Sequence, residues 1–139
     1  MQIEKIEFDD ILFALIMRKG AIVENVGFFS SADNSLQLGI LEYKEGYVEK
    51  AHSHRRSPKL IEDVQETLHI ESGKVEVNFY TNGGERIGAA LLDAGDTILL
   101  INGGHAIRVL EDFRGIKVKQ GPYRGIEQDK VMLEVKGNQ

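Results

Sequence analysis

The sequence contains no cysteine and no tryptophan, and only two of its 139 residues are proline. Without cysteine the chain can form neither a disulfide framework nor a zinc finger, and it has no thiol for nucleophilic catalysis. A folded chain of this length buries about two thirds of the surface that its unfolded form exposes, so side-chain packing alone can supply one core. The composition, 42% apolar and 28% charged, predicts one ordinary globular domain spanning residues 1–139.

The chain also lacks an excess of positive charge and a long apolar run. Its 17 basic and 22 acidic residues give a net charge of -5. A nucleic-acid partner requires a basic stripe, and the adjacent pair Arg55 and Arg56 is too short to make one. The longest apolar run, Ile11–Met17, is far below the roughly 20 residues that cross a bilayer. Acidic residues precede that run, the opposite of a secretory signal peptide. We therefore expect a cytoplasmic protein with no nucleic-acid partner and no membrane span.

Glycine is abundant, with 15 residues spaced along the chain, and it separates segments in which apolar and polar residues alternate. The clearest such segment, residues 74–80, places three apolar side chains on one face: Val75, Val77 and Phe79. The turn sequence Asn82-Gly83-Gly84 predicts a hairpin to a second alternating segment, whose inward residues would be Ile87, Ala89 and Leu91. Further runs cover residues 36–43, 64–71, 96–101, 105–110 and 115–120, separated by turn-like sequences that include Ser72-Gly73. Residues 11–19 fit a short capped helix or a buried strand.

Seven or more short strands with turns at this density predict an all-β sandwich or small barrel. The end of the chain, residues 121–139, is expected to pack as an edge strand or to cross to a partner subunit. Its apolar residues Val131-Met132-Leu133 have no obvious partner within a small barrel, and this predicts a homodimer. The alternative is a tail that folds back on its own sheet.

Three of the four histidines and one glutamate occupy positions that suit a metal ion. His52 and His54 are two residues apart, so on an extended strand both imidazoles point to one face. Alternation places Glu66 and His105 among inward apolar residues, where a charge is costly unless it is paired or coordinated. Taken singly, each has an ordinary structural explanation: a solvated strand edge, a buried ion pair, or a hydrogen bond to a carbonyl. His69 lies three residues after Glu66, hence on the opposite face of a strand, and is not expected to be a ligand.

Together these spacings resemble the cupin superfamily. The first cupin motif matches Gly46, five residues, His52-Ser53-His54, and then Glu66, six residues and Gly73. The second motif matches the stretch from Gly95 to His105. The sequence departs from the family pattern in two places. Eleven residues separate His54 from Glu66, where the family has three or four. In the second motif Ile101 stands at the position of the family's proline, and there is one residue fewer before His105.

The resemblance implies a cupin-type double-stranded β-helix, a jelly-roll barrel. Its core would cover residues 36–120, with N-terminal strands in residues 1–35 and a C-terminal tail in 121–139. The sequence Val118-Lys119-Gln120-Gly121-Pro122-Tyr123, with Gly104-His105 and Glu111-Asp112 before it, also resembles a subgroup of small, uncharacterised bacterial cupins that are often associated with sugar-nucleotide or surface-polysaccharide genes. The family's ligands map onto His52, His54, Glu66 and His105, which implies one divalent transition metal ion: Fe, Mn, Ni, Zn or Co. Four protein ligands leave coordination positions open for water or substrate.

The leading hypothesis is therefore a metal-binding cupin that holds a small polar, sugar-derived or anionic molecule in the barrel, as an enzyme whose reaction the sequence does not specify. Arg55 and Arg56 follow His54 directly and are candidate contacts for an anionic group. A second hypothesis is a metal-free sugar-nucleotide epimerase or ketoisomerase, with His54 or His105 as base and Tyr43 or Tyr80 as acid. A third is a non-catalytic binding or sensing module.

Overall fold

The structure, a computed structural model, describes residues 2–137. Within these residues the chain forms eight strands and one short helix: β1 Ile3–Phe8, β2 Ile11–Met17, β3 Asn25–Phe28, β4 Gly39–Glu42, β5 Glu66–Tyr80, β6 Arg86–Asp93, β7 Thr97–Leu100, β8 Gly104–Lys119 and α1 Ile126–Asp129. The prediction of an all-β chain is confirmed. The ambiguous segment at residues 11–19 is a strand, with four consecutive buried residues, because it lies inside the sheet between two other strands.

Six of the strands form one antiparallel sheet that curls into a half-barrel. Along the sheet the order is β1-β2-β7-β5-β6, and β8 pairs with β5 as well. The remaining strands, β3 and β4, form a separate two-stranded sheet. No helix among residues 2–137 has the length and apolar character that a membrane span requires.

The sheet is organised around β5, which runs through the sequence Ser72-Gly73 where a turn was expected. That prediction was wrong, because Gly73 adopts a φ of +88° and the pairing with β8 shifts register on both sides of it. A shift of this kind is a β-bulge, which bends a strand without ending it. The two runs expected at residues 64–71 and 74–80 are therefore one strand, and β8 likewise joins the runs at 105–110 and 115–120.

Bending at the bulge folds the β5–β8 ribbon over the core. The first half of β5 pairs with β7 and with the end of β8, and the second half pairs with β6 and with the start of β8. Both halves of β5 contribute to a single buried cluster, with Leu68 and Ile70 from the first half and Val75, Val77 and Phe79 from the second. The predicted inward face of residues 74–80 is confirmed. The bend also brings the two ends of the ribbon to the same side of the half-barrel.

The inward face predicted for β6 is right at Ile87, which packs against the core, and wrong at Ala89 and Leu91, which are exposed. Leu92 is fully buried, whereas Leu91 is 49% exposed. Pairing between β5 and β6 shifts register between Phe79 and Tyr80, directly after the hairpin. A shift of one residue exchanges the two faces of a strand, so alternation counted forward from the turn assigns the wrong face.

After α1, the tail packs against its own sheet. The backbone N–H of Lys136 donates to the carbonyl of Gly84 at 3.0 Å. A Cβ on Gly84 would lie 1.9 Å from the carbonyl oxygen of Glu134, and one on Gly104 would lie 2.3 Å from the side chain of Leu133. Glycine at both positions therefore permits the tail to approach this closely. Val131 and Met132 remain exposed.

Candidate functional site

The site begins with a pair of residues at opposite ends of the folded ribbon. Glu66 opens β5 and pairs with Lys119, whereas His105 follows the first residue of β8 and pairs with Phe79. On a straight strand Glu66 and Phe79 would be roughly 40 Å apart. Because the ribbon is bent at the bulge, His105 Nε2 instead lies 2.8 Å from Glu66 Oε1. Two residues that are distant in sequence thus form one hydrogen-bonded pair.

The pair has an electrostatic environment that favours the charged carboxylate. Glu66 is only 8% exposed. The hydrogen bond from His105 lowers the pKa of Glu66 below its usual value against the opposing effect of burial, and the charges of His105, Lys117 and Lys119 lower it further. Lys117 Nζ lies 3.7 Å from Glu66 Oε2. Glu66 therefore accepts a hydrogen bond through one oxygen and faces an ammonium group with the other.

A cavity of about 420 Å³ lies over this pair. One wall comes from the two ends of the ribbon and carries Glu66, Tyr80 and His105. Residues 101–103, between β7 and β8, also line the cavity, as do residues 129–133 at the end of α1 and in the tail. The volume falls within the range of pockets that hold small molecules.

The cationic groups at the cavity are lysines. Lys117 and Lys119 project from the end of β8, and Lys130 comes from the tail. The ammonium of Lys119 donates to Asp129 Oδ2 at 2.9 Å, a hydrogen bond that raises the pKa of Lys119. It also lies 4.9 Å from the ring centre of Tyr123. Lys119 therefore ties the tail to the sheet beside the cavity.

His52 and His54 lie elsewhere, on a segment between β4 and β5 (residues 43–64) whose residues are all exposed and form no strand. Their ring centres are 5.5 Å apart, and His52 Nδ1 contacts the carbonyl of Lys50 at 3.0 Å. Neither lines the cavity. Among residues 2–137 no group of three or more histidine, aspartate and glutamate side chains is arranged to hold a metal ion. The structure thus unites Glu66 and His105 and leaves the other two expected ligands apart from them.

The other residues singled out in the sequence also fall into two groups, those that line the cavity and those that lie away from it. Arg55 and Arg56 lie on the exposed 43–64 segment and do not line the cavity. Tyr43 stacks on Tyr47 in that segment, with ring centres 4.0 Å apart, whereas Tyr80 lies in the cavity wall. His69, as expected from its face, is separate from the site: its Nδ1 lies 2.8 Å from Thr97 Oγ1, within hydrogen-bonding distance.

Sequence reasoning missed Lys117 and Lys119. The two lysines are two residues apart, which places them on the same face of a strand. Which face that is depends on the pairing of β8 with β5, and the sequence does not reveal this pairing. Lys119 is opposite Glu66, and Lys117 is opposite the buried Leu68. Directly opposed residues share a face of the sheet, so both lysines belong to the side on which Glu66 lies.

Comparisons of the chain with protein-family models, with curated proteins and with solved structures find no match. Interpretation of the site therefore depends on its own geometry: a buried carboxylate, a partly exposed imidazole bonded to it, and a cavity of molecular size beside them.

Proposed function

We propose that this protein binds a small polar molecule, such as a sugar derivative, in the cavity over Glu66 and His105. The observation that carries the proposal is the 2.8 Å contact between these two side chains on the wall of a cavity of about 420 Å³. An imidazole held by a carboxylate can donate to, or accept from, a hydroxyl or carbonyl group. The cavity gives such a group room to approach.

We propose for the fold that the half-barrel is part of a cupin-type jelly roll. The supporting observation is that Glu66 and His105, each assigned to a different cupin motif, meet at one end of the curled sheet. The two motifs lie far apart in the chain, so their meeting requires the ribbon to fold as it does in a barrel.

A metal centre formed by His52, His54, Glu66 and His105 stays a prediction. Carboxylate and imidazole are suitable ligands for Fe, Mn, Ni, Zn or Co. As arranged, however, only Glu66 and His105 lie together, so the four residues do not fit one ion without a movement of the 43–64 segment.

Metal content can be tested on protein purified without chelators. A centre built from the four residues predicts one transition metal ion per chain by elemental analysis. His52→Ala and His105→Ala would each reduce it, and His69→Gln would leave it unchanged, because His69 bonds to Thr97 on the other face. Full metal content in both alanine variants would contradict the four-residue centre.

A metal-free isomerase or epimerase is a second candidate, because Tyr80 and His105 both belong to the cavity lining. In that reaction His105 would accept a proton from a carbon beside a carbonyl group, through the ring nitrogen that does not bond to Glu66. Glu66 would orient the imidazole and stabilise its positive charge. The phenol of Tyr80 would give a proton to the substrate, which leaves a phenolate at Tyr80 and an imidazolium at His105. Proton exchange with water would then return the proton from His105 and restore the phenol of Tyr80, so that no proton is gained or lost overall. A non-catalytic binding module would use the same cavity without turnover.

If the ligand binds in the cavity, Ala106→Phe should abolish ligand binding. Ala106 is exposed and lines the cavity, so a phenyl ring there occupies ligand space without disturbing the core. Ala89→Phe is the matched control, because Ala89 is also an exposed strand alanine but is not part of the cavity lining. In a thermal-shift screen of sugar phosphates, nucleotide sugars, 2-oxo acids and neutral sugars, a ligand at ~100 times its Kd stabilises by about 2.7 kcal/mol. Equal stabilisation of both variants would place the ligand elsewhere.

We also propose that the protein is a homodimer. Among the described residues β8 pairs only with β5, so its other edge is open. Its exposed apolar side chains are Ile107, Val109, Leu110, Ile116 and Val118. An open apolar edge of this length readily pairs with another chain, and a second copy supplies an identical edge. Val131 and Met132 add exposed apolar surface on the tail.

Sedimentation at micromolar concentration is expected to give about twice the monomer mass of 15.5 kDa. Val109→Lys places a charge on the open strand at a residue that is 55% exposed, so it should give monomers that remain folded. A wild-type chain that sediments only at 15.5 kDa would contradict the dimer.

A further inference from the structure

The cavity differs in charge from the chain as a whole. The protein carries a net charge of -5. The cavity lining, by contrast, contains three lysines, Lys117, Lys119 and Lys130, against two carboxylates, Glu66 and Asp129. Counted by its lysines and carboxylates, the lining is therefore positive in an acidic protein. Positive charge concentrated in a concave site attracts anions.

Three of the five charged groups at the cavity, Glu66, Lys119 and Asp129, already have short hydrogen bonds. Glu66 is bonded to His105 at 2.8 Å, and Lys119 is bonded to Asp129 at 2.9 Å. Within the described part of the chain, Lys117 and Lys130 are not in such bonds, and of these two Lys117 is the one beside the His105–Glu66 pair. Its ammonium is 3.7 Å from Glu66, an ion pair too long to be a hydrogen bond, and its side chain is 47% exposed. Lys117 is thus held beside the His105–Glu66 pair with its hydrogen-bond donors directed to no close acceptor among residues 2–137.

We propose that Lys117 is the anion-binding residue of the cavity and that the ligand carries a phosphate or carboxylate group. This inference rests on the proposed function, and it names the class of molecule that the cavity takes. An ammonium on a flexible stem binds either anion as a point charge. The anionic group would lie at Lys117, and the uncharged polar part of the ligand would extend toward His105 and Tyr80.

This assignment replaces the one expected from the sequence. Arg55 and Arg56 were the candidate anion contacts, but both lie on the exposed 43–64 segment and outside the cavity lining. Lys117 lies in the lining, on a strand fixed by its pairing with β5. A cation on a paired strand is better positioned for selective binding than one on an unpaired segment.

The test uses inorganic phosphate and malonate as separate probes and glucose as a neutral probe, with binding measured by calorimetry and by chemical-shift changes. Lys117→Gln should weaken phosphate or malonate binding about tenfold or more, the effect of losing a charged hydrogen bond. Lys74→Gln is the matched control, because Lys74 is also a β-strand lysine in a 3.5 Å ion pair, with Asp93, and is not part of the cavity lining. The anion that binds the wild-type protein with the lower Kd shows whether the site prefers a phosphate or a carboxylate group.

Three results would overturn the inference: neither anion binds the wild-type protein, Lys117→Gln binds both anions as the wild type does, or Lys74→Gln weakens binding equally. The cavity-filling variant separates these results from failure of the proposed function. If Ala106→Phe abolishes binding of a neutral polar molecule while Lys117→Gln leaves anion binding unchanged, the cavity is a binding site without anion selectivity. If Ala106→Phe changes binding of no probe, the proposed function itself is wrong.

Discussion

Replacing Gly73 by alanine is expected to lower the free energy of unfolding by about 3 kcal/mol or more. Gly73 has a φ of +88°, a conformation that costs other residues roughly 1–2 kcal/mol. In addition, a Cβ built at this position would lie 2.1 Å from the backbone carbonyl oxygen of Asp112. The Cβ is fixed directly to the backbone of β5 and the oxygen belongs to the backbone of β8, so the contact is relieved only if the two strands separate at the bend.

Gly20→Ala is the matched control for this prediction. Gly20 has a similar φ of +82°, but a Cβ there would meet nothing within 4 Å. Gly20→Ala should therefore cost only the conformational part of the effect, roughly 1–2 kcal/mol. Chemical denaturation of the two variants measures both losses. If Gly73→Ala were no more destabilising than Gly20→Ala, the close approach of β8 at the bulge would be contradicted.

Replacing Glu66 by alanine is expected to lower the free energy of unfolding by about 2–3 kcal/mol at neutral pH, because a buried carboxylate then no longer accepts the hydrogen bond of His105. The loss should depend on pH. The pKa of Glu66 is lowered in the folded protein, so its stabilising contribution is present above the pKa of the unfolded chain and is lost as the pH falls through the folded value. The difference between the variant and the wild type should therefore shrink on acidification.

Glu71→Ala provides the comparison for Glu66. Glu71 is also on β5 and is paired with Arg114, but both side chains are exposed. Exposed pairs contribute about 0–1 kcal/mol, so the variant should lose little stability at any pH. Denaturation curves collected from pH 7 to pH 3 distinguish the two residues. A loss at Glu66 that is constant over this range would contradict the role given to its charge.

Local alternation in the sequence was enough to locate strand-forming segments at β4 to β8 and to predict part of the site. Val75, Val77 and Phe79 are buried as predicted because a sheet with one covered face imposes a period of two. The same alternation gave Glu66 and His105 as inward residues, and the structure brings them into contact. What alternation could not give was the continuity of β5, since Ser72-Gly73 has the composition of a turn and becomes a bulge only when paired with β8.

The rest of the site depends on contacts between segments that are distant in the chain. The lysines at the cavity were missed because their inward position follows from pairing with β5, which is a long-range contact. For His52 and His54, the H-x-H spacing places both rings on one face only if the segment is a strand. Residues 43–64 form no strand in the structure, so the spacing does not direct these rings toward Glu66.

The central claim is that Glu66 and His105 form one site, and the most direct test is a titration of the Glu66 carboxyl carbon by NMR. In the wild-type protein Glu66 should titrate below the ordinary range of glutamate, chiefly because of the hydrogen bond from His105. In His105→Ala its pKa should rise, since burial then acts with less opposition. His69→Gln should leave it unchanged, because His69 bonds to Thr97. A Glu66 pKa that is the same in the wild type and in His105→Ala would contradict the pair and, with it, the site.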